Sequence, residues 1–265
     1  MKPERNLIIA DPWQDLRRFT RARIALGRSG DSLPTQAVLE FGLAHARARD
    51  AVHAAMPRDA IVEAVRKAGY EPIAVHSAAA DRAQYLRRPD LGRRLNDEDR
   101  ARLIRLTEAS KPDVVLVIAD GLSAQAAALH ALPLIIELAP QLDGWKIGPI
   151  VVAEQSRVAL GDEIGELLGA EQVVILIGER PGLSSPDSLG VYLTYRPRVG
   201  RSDAERNCIS NVRPEGLRYD AAARKLHGLL TGARLLKLSG IQLKDESDTV
   251  LSFRSIHGEP GSSKT

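Results

Sequence analysis

The stretch "DVVLVIADG", Asp113 to Gly121, decides the fold. Val114–Ala119 is an unbroken apolar run rich in β-branched residues, without the polar alternation of a half-exposed strand. Such a run specifies a strand buried on both faces. Downstream, "LSAQAAALHALPLIIELAPQL" (122–142) has the composition of a helix, with a kink expected at Pro133 because proline removes a helical hydrogen bond. The alternation then repeats: strand "IGPIVVAEQ" (147–155), helix "LGDEIGELLG" (160–169), strand "QVVILIGE" (172–179). Val/Ile-rich strands alternating with amphipathic helices specify an α/β fold, a Rossmann-like, mostly parallel sheet with helices on both faces. Upstream, "PIAVH" (72–76) reads as a first strand. Downstream, "GVYLTYRP" (190–197) is a second apolar run after a loop, followed by a polar segment and a helix from about Asp220 to Leu238. The α/β domain is placed at 70–240, after an N-terminal helical arm over 1–69 and before a tail, 241–265, whose "HGEPGSSKT" reads as disordered.

Within the arm, residues 13–28 read as a short arginine-rich helix that "GRSGDSLP" (27–34) interrupts. Asp31 or Ser32 is the expected N-cap of the next helix, with Pro34 in its first turn. That helix runs to about Met56, with Val38, Phe41, His45, Ala48, Val52 and Ala55 on one face and Leu39, Leu43 and Ala46 in a second stripe. So much apolar surface needs two neighbours, or one neighbour and a partner chain. Another helix leads from Arg58 towards Gly69, "RRPDLGRRL" (87–95) reads as an irregular basic connection, and Asn96 caps an acidic first turn, Asp97–Asp99.

Composition narrows the classes. The 265 residues are 44% hydrophobic and 27% charged, ordinary for a globular chain. No run approaches eighteen uncharged apolar residues, so no membrane span is expected. The N-terminus carries no secretory pattern, and the single Cys208 fits a reducing, cytoplasmic setting. Residues 1–110 hold 20 Lys/Arg against 15 Asp/Glu. That basic balance comes without a recognition motif, so nucleic acid is not an expected partner.

In open α/β sheets, ligands bind beyond the carboxyl ends of the strands. Asp120-Gly121, Glu154-Gln155 and Glu179-Arg180 fall there, together with the loop "GERPGLSSPDS" (178–188). Neither a dinucleotide fingerprint nor a phosphate-cradling loop follows any strand, and no metal-ligand spacing occurs among the scattered histidines. "GLS" (121–123) lacks the rest of a nucleophile elbow. Cys208 reads first as a buried structural thiol, with a nucleophile as the alternative. The edge suits binding better than catalysis. Glu179 offers acceptors, Arg180 donors, and Ser184, Ser185 and Ser188 hydroxyls, to a large amide-bearing ligand. The structural alternative is a Glu179–Arg180 pair that ties the loop down. The functional alternative is a stand-alone hydrolase or transferase using Asp120, Glu179 or Cys208.

Several long blocks carry a resemblance. "FTRARIALGRSGDSLPTQAVLEFGLAHARARDAVH", "DVVLVIADGLSA", "SRVALGDEIGELLGAEQVVILIGERPGLSSPDSLGVYLTYRP" and "ERNCISNVRPEGL" occur in that order across residues 13–240. Together, and through "IGERPGL" with "NCISN" above all, the chain resembles the small subunit of ethanolamine ammonia-lyase. The resemblance implies a carbon–nitrogen lyase that depends on adenosylcobalamin and converts ethanolamine to acetaldehyde and ammonia. It implies a large-subunit partner carrying the substrate site and most catalytic groups. The small subunit would then help hold the cobalamin at the interface, inactive alone, in the cytoplasm or inside a bacterial microcompartment. The positions matching the family's cobalamin-binding residues are Val158, Glu179 and Cys208. No D-x-H-x-x-G motif offers a histidine to cobalt, which fits a cobalamin keeping its own lower base.

Overall fold

In a computed structural model, which describes residues 7–106 and 111–245, the strands are β1 (Pro72–His76), β2 (Val114–Ala119), β3 (Ile147–Glu154), β4 (Gln172–Gly178), β5 (Leu189–Tyr195) and β6 (Arg206–Val212). They form one six-stranded sheet in the order β1-β3-β2-β4-β5-β6. The first four run parallel, while β5 is antiparallel to β4 and β6 antiparallel to β5. Every residue of β2 and β4 is buried, as the unbroken apolar runs require.

Among the described residues there are eight α-helical segments: α1 (Thr35–His53), α2 (Arg58–Lys67), α3 (Arg82–Arg87), α4 (Asp97–Leu106), α5 (Ala124–Ala126), α6 (Leu132–Leu138), α7 (Val158–Leu167) and α8 (Tyr219–Leu236). Successive strand residues point to opposite faces, which gives two cores. On one side α2, α6 and α8 bury Val65, Leu134 and Leu226 against Leu116, Ile118, Val152 and Leu176. On the other, α4 and α7 bury Leu103, Leu160 and Ile164 against Val117, Val151, Val173 and Ile175. Alternate β2 residues thus feed alternate cores.

Two backbone features set the carboxyl edge. Gly121 has φ +54°, and a Cβ there would lie 2.2 Å from the Gly178 carbonyl oxygen. Only glycine lets the turn after β2 cross the end of β4, where Leu122 N–H donates to that oxygen at 2.9 Å. Between α5 and α6, Ala127–Ala131 widen into a π-helical turn just before Pro133. The kink expected at Pro133 takes this form, the widened turn accommodating a residue that has no N–H to donate.

The arm departs from the sequence pattern. Residues 13–28 hold one six-residue 3₁₀ helix, Gln14–Phe19, with no buried residue. Beyond it the chain is extended and bridges back, Ile9 and Arg28 exchanging hydrogen bonds of 2.8 and 2.9 Å. An arginine-rich segment with no packing face has little to sustain a helix. Asp31 and Ser32 do not cap α1: Pro34 holds the N-cap position, and Ser32 closes a turn with Ser29. The cap at Asn96 forms as expected, its Oδ1 accepting from Asp99 N–H at 2.8 Å. The connection over 87–95 is less irregular than its composition suggested, with the end of α3 and a 3₁₀ turn at Leu91–Arg93. The polar segment after β5, to which the sequence assigned no element, contributes the edge strand β6. The "HGEPGSSKT" tail lies outside the described residues.

Candidate functional site

His76, Ala119, Glu154 and Gly178 end their parallel strands at one edge, where β5 also begins and β6 ends. The three residue pairs singled out in the sequence therefore do converge, but they play different parts.

Asp120 is no open ligand. It is 1% exposed, and its carboxylate accepts from Ser156 N–H (2.9 Å), Gln155 N–H (2.9 Å) and Arg82 Nη1 (3.2 Å). Burial pushes its pKa up, while those donors pull it back. Two of its acceptor bonds hold a strained peptide, since Gln155 has φ +52° without being glycine. Glu154 faces outward to Arg58, 2.8 Å away.

Glu179 is half-buried at the loop's entrance. Its Oε2 accepts from the Ser188 hydroxyl and, at 3.3 Å, from Asn211 N–H, so one carboxylate ties the loop to the end of β6. Among the described residues Glu179 and Arg180 form no ion pair, and Arg180 is exposed. The loop is fastened instead by Ser188, by the Gly182–Ser185 turn, and from beneath by Ser123 Oγ donating to the Pro186 carbonyl at 2.8 Å. His130 adds support from the π turn, with Tyr219 Oη at 2.7 Å and Asp187 at 3.4 Å.

Cys208 lies mid-strand in β6 opposite Tyr192, and it is exposed, not the buried thiol its residue type suggested. The cause is position: β6 is the sheet's edge, and α7 reaches it only at its first residue, through the buried Asp162–Arg206 pair. Cys208 Sγ is 3.3 Å from Ser210 Oγ. Neither Ser210 nor Tyr192 is a base at neutral pH, and burial and the neighbouring Cys208 push the Tyr192 hydroxyl further up. The thiol thus lacks the partner that nucleophilic catalysis needs.

Val158 opens α7 and packs on the core cluster that also takes Ile177 and Tyr192. Tyr192 shares its face with its ladder partners Ile175 and Cys208. A Cβ on Gly190 would lie 3.1 Å from Glu179 Cγ and 3.2 Å from Tyr192 Cε2, so these two side chains flank a glycine gap. Val158, Glu179 and Cys208 therefore lie on the same face of the sheet. Tyr192 of β5 and Ser210 of β6 belong there too, and the N–H of Asn211 holds Glu179 in place. Sequence reading took Tyr192 only as part of an apolar run, and it missed Ser210 and Asn211 because β6 carries only two buried apolar residues, Ile209 and Val212. The result is a shelf on the face of β5 and β6 away from α8, exposed at Cys208 and Ser210. It offers an aromatic ring, a thiol, a hydroxyl and a carboxylate.

Among the described residues no group of three or more His, Cys, Asp or Glu is placed to hold a metal ion, and no helix is long and apolar enough to cross a membrane. Fold and edge together define an α/β protein of the doubly wound type, with an open polar face at the outer strand of its sheet. The family model described as ethanolamine ammonia-lyase light chain matches residues 10–244. The chain is 58% identical over 247 residues to the ethanolamine ammonia-lyase small subunit of Pseudomonas syringae pv. tomato, covering 91% of this chain and 86% of that one. It is 55% identical over 249 residues to the corresponding subunit of Azotobacter vinelandii, covering 92% of each. The chain belongs to the ethanolamine ammonia-lyase light-chain family.

Proposed function

We propose that this chain is the cofactor-holding small subunit of an adenosylcobalamin-dependent ethanolamine ammonia-lyase, with Val158, Glu179 and Cys208 against the corrin at the interface with the large subunit. Family membership supports the activity. The uncovered shelf is the observation that supports the site. A corrin is broad, flat and ringed by amides. The shelf gives it an open face, an acceptor carboxylate for amide N–H groups, and the Ser210 hydroxyl for amide carbonyls. The residues present fit the group. When bound, adenosylcobalamin supplies the radical chemistry of its cobalt–carbon bond; the protein supplies binding, orientation and electrostatics. Glu179 orients one side while holding Ser188, Val158 meets the ring with apolar surface, and Cys208 leaves a small side chain where a larger one would lift it.

The arm suits the partner. Val38, Leu39, Phe41 and Leu43 of α1 are all exposed, as are Trp13, Leu16 and Phe19 before it. Arg17, Arg18, Arg21 and Arg23 line a cavity of about 700 Å³ beside this surface. An apolar face rimmed by arginines fits a large-subunit surface that is apolar with carboxylates around it. The setting is the cytoplasm, with packaging in a bacterial microcompartment compatible with it.

The stand-alone hydrolase or transferase has no support from geometry, because Asp120 is buried and fully engaged and Cys208 has no base. The deciding experiment is co-purification with the matching large subunit, then ethanolamine turnover with and without adenosylcobalamin. Turnover needing both chains and the cofactor is expected; turnover by the isolated chain would sink the proposal. For the shelf itself, Glu179→Gln should weaken cobalamin binding on the order of 10-fold, the worth of one charge-assisted hydrogen bond, while leaving the fold intact. Removing residues 1–56 should abolish assembly; unchanged assembly would remove the arm from the interface.

A further inference from the structure

Arg82 reaches three separate parts of the molecule with one guanidinium. Its Nε donates to the Val52 carbonyl, in the last turn of α1, at 2.7 Å. Its Nη1 donates to Asp120 Oδ2 at 3.2 Å and lies 3.5 Å from Gln155 Oε1. The group stacks over the Tyr85 ring, 4.7 Å from its centroid, while Arg157 stacks on the same ring at 4.2 Å. Its Nη2 is buried and meets no acceptor among the described residues. Asp120 in turn fixes the N–H groups of Gln155 and Ser156, and Tyr85 Oη donates to the Ser156 carbonyl at 3.0 Å. Both polar groups of the Ser156 backbone are thus pinned, two residues before Val158 begins α7. The carbonyl of Val52 is offered by the helix whose outward face carries the exposed apolar stripe.

We propose that Arg82 is a positioning residue that joins the partner-docking helix α1 to the peptide holding Val158, so that large-subunit docking and cobalamin binding are coupled through it. The inference rests on the two readings above, that Val158 lines the cobalamin shelf and that α1 meets the large subunit. A charged buried fork suits this work. Guanidinium geometry can serve a carbonyl and a carboxylate at once, whereas an ammonium is a point donor on a flexible stem. Coupling of this kind is reciprocal: whatever docking on α1 does for the cofactor, the cofactor does for docking by the same factor.

The test uses the two-subunit complex with cyanocobalamin as probe, read by its absorbance change, and subunit association measured by sedimentation with and without the probe. In the parent, cyanocobalamin should tighten association roughly 5-fold, the low end of ordinary coupling. Arg82→Met should remove that factor and weaken cyanocobalamin binding about 10-fold. Arg82→Lys keeps a cation for Asp120 but cannot also hold Val52. It should restore most of the cyanocobalamin affinity while leaving the coupling lost, a split that a general loss of stability would not give. If the parent shows no coupling, or Arg82→Met and Arg82→Lys both keep it, the inference is overturned. Should Arg82→Met fail to fold, Arg82→Lys decides alone by whether coupling persists. Val158→Asp and Glu179→Gln separate the two levels. If neither weakens cyanocobalamin binding, the shelf reading fails and takes this inference with it; if they weaken it and the Arg82 variants match the parent, only the role of Arg82 falls.

Discussion

The shelf depends on an edge strand that one buried ion pair fastens. Arg206, the first residue of β6, and Asp162, on α7, have side chains each 2% exposed, and they pair directly. Arg206 also donates to Asp203 at 2.7 Å and to the Arg201 carbonyl at 2.8 Å. Burial already pushes the Asp162 carboxyl up, with Arg206 the chief opposing influence. Arg206→Met leaves that carboxylate buried without its cation, a change worth about 3–5 kcal/mol. For a domain this size, each kcal/mol moves the melting temperature by about 2 °C, so the variant should melt about 6–10 °C lower. Adding Asp162→Leu to Arg206→Met removes both charges and should recover most of the loss, since paired burial is itself near break-even against apolar replacement. The sign of the pH effect follows from the raised carboxyl. A native state that binds the proton more tightly than the unfolded chain gains stability as pH falls through the folded pKa. The deficit of Arg206→Met against the parent should therefore shrink from neutral to mildly acidic pH as Asp162 protonates. Thermal and guanidinium melts followed by circular dichroism measure all three proteins. A single variant within about 1 kcal/mol of the parent, or a double variant no better than the single, would show that the pair does not fasten β6.

Gly121→Ala should cost more than about 3 kcal/mol or prevent folding, because strain at positive φ adds to a clash with the Gly178 carbonyl. Gly30→Ala, at φ +59° with open space around it, should cost only about 1–2 kcal/mol; denaturant midpoints compare them, and equal effects would refute the close-approach argument. Glu205 is held down to about 2 by Ser202 N–H first, then by Arg201 and the Ser202 hydroxyl. Its stabilising contribution is present above its ordinary value of 4.5 and lost as pH falls through about 2, so Glu205→Gln should flatten that part of the melting-temperature profile against pH. Cys208→Ser should keep turnover within a few-fold in the assembled enzyme, whereas complete loss would make the thiol a reacting group.

The sheet was legible because its central strands are saturated with Val and Ile and buried on both sides, a local signal that no distant partner has to supply. β6 was not. In "RNCISNV" only Ile209 and Val212 enter the apolar core, while Cys208, Ser210 and Asn211 face out, so its strand character comes from pairing with β5 and not from hydrophobic pattern. The same limit governed Asp120. Its position beyond β2 was readable, but its burial depends on N–H donors at Gln155 and Ser156, 35 and 36 residues away, and on a guanidinium 38 residues upstream. The exposed state of Cys208 was likewise a matter of which strand lies at the edge. Residue type alone predicted the opposite.

That fate of Asp120 bears on where the shelf lies. In doubly wound sheets the ligand crevice opens between neighbouring strands whose following helices pass to opposite faces. Here those strands are β2, followed by α5 and α6 on one face, and β3, followed by α7 on the other. The crevice between their carboxyl ends is filled from within: Asp120 caps the Gln155–Ser156 peptide, Arg82 crosses the gap, and Tyr85 packs beneath two arginines. A ligand entering there would have to displace a buried charge network, at a cost of several kcal/mol. The antiparallel extension β5–β6 is covered by α8 on one face, and its other face is exposed at Cys208 and Ser210 with no such plug. It can take something broad and flat where the crevice could take only something narrow. Filling the crevice also stiffens the start of α7, which forms one border of the shelf. In this chain, the crevice that usually takes a ligand is packed from within, and the open face lies past β4, on β5 and β6.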